Sequence, residues 1–172
     1  MIAFNLIATT DRGAERRARR ELLDLLYLMG DEAADAVTVS LAGLVLAQTS
    51  LNPFDVVSGI ASKFRDDPLS VRYLIRVIPI EVLTDTDPVK IAECVERLKG
   101  KIGVDESFRV TVEKRRTTIH SMEIVKAVAA RVDRRVDLEN PDWIILVEVV
   151  GEVSGISVLR PGQIFHAFKQ SS

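Results

Sequence analysis

Cysteine is nearly absent from this sequence: Cys94 is the only one, so an intrachain disulfide and a cysteine zinc cluster are both excluded. Aromatic residues make up only 5% of the chain, too few to stack many splayed nucleobases. Long apolar runs are also missing. The run Trp143 to Val147 is stopped by Glu148, whereas a membrane-spanning helix needs ~20 mostly apolar residues. The N-terminal MIAFNLIATT has neither the positive flank nor the small-residue cleavage site of a signal peptide. A cytoplasmic protein without a membrane partner is the expectation. Finally, no sign of charge dominates: 23 Lys plus Arg stand against 25 Asp plus Glu, a net of -2 over 172 residues. That length allows one full-sized domain or two small ones.

Local patterns do exist. Ala3 to Thr9 is a short apolar stretch that reads as a strand, after which Thr10 or Asp11 can cap a helix running to Met29 and stopping at Gly30. Val37 to Leu41 and Leu44 to Gln48 flank Ala42-Gly43, consistent with a two-residue hairpin. Asn52-Pro53 opens a second helix, because proline at the first helical position sacrifices no hydrogen bond. Val71 to Leu83 follows as one long β-rich stretch whose Pro79 suggests an edge or a bulge. The order strand, helix, strand, strand, helix, strand is that of the ferredoxin-like split unit.

Asp87-Pro88 repeats the cap-plus-proline start for a helix to about Lys99. Ser107 to Glu113 alternates apolar and polar residues, the period of a half-buried strand. Ser121 caps a further helix. Asn140-Pro141-Asp142 forms a turn in which Asp142 can bond its own backbone. Trp143 to Val150 then reads as a buried strand, with Val153 to Leu159 as its hairpin partner.

The near-zero net charge conceals an uneven distribution. Between Arg109 and Arg135 eight basic residues face three acidic ones, a local +5 that leaves -7 for the rest. Lys114, Arg115 and Arg116 fall at a strand end just before a helix N-terminus, where backbone N-H groups and the macrodipole favour an anion. Thr117, Thr118 and Ser121 add hydroxyls, and arginine offers a planar fork for phosphate oxygens. Lys126, Arg131 and Arg160 are further candidates. A second basic run, Arg12, Arg16, Arg17, Arg19 and Arg20, lies in the first turns of the first helix, where Asp11, Glu15, Glu21 and Asp24 could neutralise it on a solvated face. His120, His166 and Cys94 show no spacing that marks a metal pair or a nucleophile, so no metal, no cofactor and no catalytic residue is expected. With neither a glycine-rich aromatic signature nor a GxxG loop, shape and phosphate contact with structured RNA fits better than base stacking.

The segment Val136 to Val149, with Asn140-Pro141-Asp142 leading into an apolar strand that ends in Glu148, resembles the C-terminal signature of the THUMP domain. Phe108-Arg109-Val110, Lys114-Arg115-Arg116 and Ser121-Met122-Glu123-Ile124 are similar to that family's basic strand end and following helix. The resemblance implies an α+β protein, with an N-terminal ferredoxin-like domain (1–84) packed on a small α/β THUMP domain (85–172). It also implies tRNA as partner, with Lys114, Arg115, Arg116, Thr117, Lys126, Arg131 and Arg160 as the RNA-binding residues. A dinucleotide fingerprint, a P-loop, an SGGxDS-like loop and an Asn/Asp-Pro-Pro-Tyr motif are all missing. After Leu159 only Arg160 to Ser172 remains, too short for a catalytic fold. The organisation resembles the stand-alone adaptor that assists a separate tRNA-modifying enzyme, a cytidine acetyltransferase. The competing reading is a metabolite-binding or dimerising ferredoxin-like module without RNA, since that architecture hosts many functions; it gives no account of Lys114 to Arg116.

Overall fold

The computed structural model describes residues 3–168. The chain divides into two compact units: the first runs through Ile80 and takes back the segment from Gly162, and the second is Glu81–Pro161. The boundary thus falls four residues before the 84/85 division read from the sequence, and the C-terminal segment belongs to the first unit instead of the second.

The first unit contains β1 (Leu6–Thr9), α1 (Glu15–Leu28), β2 (Asp35–Thr38), β3 (Leu44–Gln48), α2 (Pro53–Asp66), β4 (Arg76–Pro79) and, from the end of the chain, β10 (Phe165–His166). Its sheet has the order β10-β4-β1-β3-β2, and every pairing is antiparallel. One face buries Leu6, Ala8, Val45, Ala47, Val77 and Phe165 against Leu22, Leu25 and Leu26 of α1 and Val56, Val57 and Ile60 of α2. Phe165 meets Phe64 edge to face, ring centroids 5.4 Å apart.

Two local expectations are corrected here. Neither Thr10 nor Asp11 caps α1: the cap is Ala14, and no side chain bonds there. The Thr10 hydroxyl instead donates to the Tyr73 carbonyl across the unit. The turn between β2 and β3 is longer than two residues, since β2 stops at Thr38, which pairs with Val45. Gly43 is held inside that loop at φ 74°, its carbonyl accepting the Thr10 amide, and a β-carbon there would sit 2.6 Å from the Thr10 oxygen. The α2 start is as expected, with the Asn52 side chain accepting the Phe54 amide and Pro53 in the first turn.

The stretch Val71 to Leu83 is not one strand. It holds β4 and β5 (Val82–Asp85), which belong to different sheets. Consecutive amides mark the crossing, Ile80 donating to Asn5 and Glu81 to Ile156. An apolar run continuous over both strands hides such a break from period-2 reasoning.

The second unit comprises β5, α3 (Pro88–Leu98), β6 (Ser107–Arg115), α4 (Ser121–Ala129), β7 (Arg135–Val136), β8 (Trp143–Val150) and β9 (Val153–Leu159). Its sheet order is β5-β9-β8-β6-β7. β6 and β8 run parallel from Phe108↔Trp143 to Arg115↔Val150, while β9 returns antiparallel to β8. α3 and α4 pack on each other and on this sheet. Ile91, Val95, Ile124 and Val128 bury against Phe108, Ile145, Val147, Ile156 and Val158. Asp87 caps α3 through the Val89 and Lys90 amides. At α4 the cap position is His120 and not Ser121, and its side chain makes no cap bond. β7, a two-residue edge strand beside Ser107 and Phe108, was not foreseen.

Candidate nucleic-acid interface

Lys114 and Arg115 close β6, and residues 116–120 link it to α4. Because α4 returns over the sheet, its N-terminus and the C-terminal ends of β6 and β8 share one edge of the unit. Arg116 occupies this edge with φ 55°, the sole non-glycine residue at positive φ among the described residues. Such a conformation costs an ordinary side chain of order 1–2 kcal/mol. The Lys114 ammonium donates to the Ile119 carbonyl at 3.2 Å, and the Thr117 hydroxyl accepts the Ile119 amide. Arg116, Thr117, Thr118 and Ile119 line an open groove of about 810 Å³, faced by Asp85, Thr86, Asp87 and Lys90 from the β5–α3 connection and by Gly151 and Glu152 from the β8–β9 turn.

The signs along this groove are mixed. Asp85 pairs with Lys90 at 2.7 Å, which raises the Lys90 pKa and keeps it charged. Asp87 is engaged with the α3 amides. Arg116 and Lys90 are the basic residues lining the groove, with Glu152 and the two aspartates as its acids, and Lys114 is exposed at the end of β6 next to it in sequence.

Arg115 plays another part. Its guanidinium lies 2.7 Å from the Glu148 carboxylate, a group with no solvent exposure, while the arginine side chain keeps 20%. A buried carboxylate needs a counter-ion, and register puts the two residues on adjacent parallel strands. The sequence signal for this pair was available: Glu148 is the one charge within WIILVEVV, and a charge amid buried strand residues asks for a partner.

The remaining candidates do not join the groove. Lys126 is exposed in the last turn of α4. Arg131 follows that helix, 3.5 Å from Glu96, with its carbonyl accepting from Lys99. Arg160 lies by the start of β8: its guanidinium stacks 3.9 Å over the Trp143 ring and pairs with Glu106 at 2.8 Å. Trp143 Nε1 also donates to Glu106, whose carboxyl is pulled down to about 2 by that bond first, then by the Gly103 amide and by Arg160. Trp143 and Val150 are seven residue steps apart along β8, about 23 Å at strand rise. The structure thus keeps Lys114, Arg115, Arg116 and Thr117 together, and places Arg131 and Arg160 toward the opposite end of the sheet. The eight basic residues of the +5 segment form no single patch.

The Asn140-Pro141-Asp142 turn is likewise built differently from the expectation. Asp142 reaches Ser107, accepting from its amide and hydroxyl, while Asp137 supplies the local turn bonds to Glu139 and Asn140. Asp142 therefore clamps the start of β6 to the start of β8. Cys94 is buried in α3, and His166 forms part of β10.

With this geometry in view, comparison with known proteins is decisive for the second unit: residues 88–159 match the profile of the THUMP domain. The chain carries a THUMP domain. The THUMP domain is an RNA-binding module. An uncharacterised protein of Methanocaldococcus jannaschii is 32% identical over 108 residues, covering 60% of this chain and 30% of the relative. The matched stretch is therefore less than a third of that protein's length. Among solved structures, PH1313 from Pyrococcus horikoshii is similar with a TM-score of 0.67 at 16% identity, over 90% of this chain and 54% of that one. TrmN from Thermus thermophilus gives 0.59 at 21% identity, over 91% and 46%. A 4-thiouridine synthetase, solved with RNA and bound ATP, gives 0.54 at 15%, over 92% and 42%. At these identities the likeness is one of fold. No helix among the described residues is long and apolar enough to cross a membrane.

Proposed function

We propose that this chain is a non-catalytic tRNA-binding protein that presents tRNA to a separate modification enzyme, a cytidine acetyltransferase. The observation that carries the reading is the cation-bearing edge within the THUMP segment, where Arg116, at positive φ, lines an open groove beside the α4 N-terminus and Lys114 closes the preceding strand. Sparsely populated backbone conformations cluster at functional sites, which supports giving this exposed arginine a role in the groove. Thr117 and Thr118 supply hydroxyls in the same groove, a combination suited to phosphate oxygens. The βαββαβ order of the first unit supports reading it as the ferredoxin-like companion of the THUMP domain. The acetyltransferase partner rests on the resemblance in organisation to the stand-alone adaptor.

The test is reconstitution. The purified chain with tRNA, acetyl-CoA and ATP forms no modified cytidine by itself, and its addition stimulates a tRNA cytidine acetyltransferase acting on the same tRNA. Turnover by the chain alone would overturn the non-catalytic assignment. Absence of stimulation together with intact tRNA binding would remove the acetyltransferase and leave the binding role.

A further inference from the structure

The arginine run of α1 is the strongest positive feature that the THUMP groove leaves unused. Neutralisation by neighbouring acids would explain it, but the structure has committed two of those acids elsewhere. The Glu15 carboxylate accepts the Gly13 and Gly43 amides, which, with Gly43 first, lower its pKa. The Glu21 carboxylate accepts three consecutive amides, those of Arg72, Tyr73 and Leu74. Arg19 donates to the Ala36 carbonyl and is a structural residue. No ion pair of Arg12, Arg16, Arg17 or Arg20 occurs among the described residues. Arg16 and Arg20 stand one turn apart, about 6 Å along the axis, and Arg17 and Arg20 are also neighbours on the helix surface. Like charges at these spacings repel by a few tenths of a kcal/mol, and they sit toward the positive end of the helix dipole.

These arginines border a real concavity. Arg16, Arg17, Arg20 and Lys63 rim a groove of about 480 Å³ over Leu25, Leu28 and Tyr73, and the Arg17 guanidinium lies 5.8 Å from the Tyr73 ring centre. Leu28 is 72% exposed. Asp24 also lines the groove, with Glu21 held by its amides. On the other side of Arg16 and Arg20, a second groove of about 460 Å³ reaches Arg19 and Thr38. Cations along a line with no ion pair among the described residues, beside an exposed aromatic and an aliphatic floor, match a ligand that repeats negative charge and carries flat apolar faces.

We propose that the α1 groove holds an unpaired stretch of RNA strand, with successive phosphates on Arg16 and Arg20 and a base against Tyr73, Leu25 and Leu28. This rests on the RNA-binding reading above but adds a contact surface in the first unit to the Lys114–Arg116 edge of the second. A duplex presents phosphates but no free base faces, so Tyr73 and the aliphatic floor favour a single strand.

The experiment compares the full chain with Arg16→Gln plus Arg20→Gln, with Tyr73→Leu, and with Lys114→Ala plus Arg116→Gly, titrating each with oligouridylate, with a short RNA duplex and with tRNA. The double glutamine variant is expected to bind oligouridylate about tenfold or more weakly, with a salt slope lower by about 1.4 for two lost phosphate contacts, while melting at the same or a higher temperature. Tyr73→Leu, which changes no charge, is expected to weaken oligouridylate about tenfold and to leave duplex binding unchanged. Wild-type affinity in the double glutamine variant, alongside weakened tRNA binding by the Lys114 and Arg116 variant, would overturn this inference and leave the proposed function standing. Indifference of oligouridylate binding to Tyr73→Leu, or displacement of it by polyglutamate as effectively as by RNA, would overturn it too. If the wild-type chain binds none of the three RNAs, both readings fall.

Discussion

Arg115 cannot neutralise Glu148 and grip a phosphate with the same nitrogen. The carboxylate has no solvent exposure, so removing the arginine takes a counter-ion away from a buried charge. Arg115→Ala should therefore cost about 3 kcal/mol in urea unfolding, and adding Glu148→Gln should recover part of that loss; a neutral Arg115→Ala would contradict the structural assignment. Arg116 behaves in the opposite way. Its φ of 55° suits glycine, so Arg116→Gly should keep or raise the melting temperature, with about 1 kcal/mol of strain relieved, while weakening RNA binding. Stability and affinity moving in opposite directions is the signature of a side chain kept for contact. Neighbours in sequence thus carry different duties, and only the long-range pairing of β6 with β8 tells them apart.

At the level of elements, β10 shows what a short tail can do. Phe165 is fully buried and packs on Phe64, while its strand pairs with Val77 and Arg76. Phe165→Ala should destabilise the first unit by about 3 kcal/mol, readable as an earlier thermal transition, and an unchanged transition would mean that the tail does not serve the core. Much of the element order was legible in the sequence. Asn52-Pro53 and Asp87-Pro88 announce their helices through caps that the structure uses, and the alternation in Ser107 to Glu113 gives β6 its half-buried character. What was not legible depends on distant partners. The break between β4 and β5 lies inside a continuous apolar run, and β10 and β7 are two-residue strands that exist only because an edge is there to pair with. The α1 start has no side-chain cap because its cap position is Ala14, while the Glu15 carboxylate of its first turn reaches Gly43, 28 residues away. The candidate site was legible only in part: the Lys114–Arg116 edge could be read from charge and the helix start, whereas Lys90, which joins it across the groove, could not.

Across the whole molecule, the near-cancelling charges conceal a basic surface in each unit, with several of the acids committed to backbone amides. Acid unfolding should report those acids. Asp31, 4% exposed, accepts from the Thr49 hydroxyl and the Ser50 and Ala33 amides, and its pKa is lowered by the Thr49 bond first and then by those amides. Its stabilisation is complete above the ordinary 3.8 and is lost as pH falls through the lowered folded value. Glu106 behaves likewise between 4.5 and about 2. Stability contributed by these two groups should stay flat from pH 7 to 5 and fall below it, and Asp31→Asn should flatten the acid limb; an unaltered limb would show that Asp31 is not among the groups responsible. The central claim, that the THUMP edge binds RNA through phosphates, is tested most directly by tRNA affinity as a function of salt in the wild-type chain and in Lys114→Ala plus Arg116→Gly. Binding that weakens linearly on a log-log scale, with a slope smaller by about 1.4 to 1.8 in the variant, is the expected result. An unchanged slope and affinity in a folded variant would contradict it.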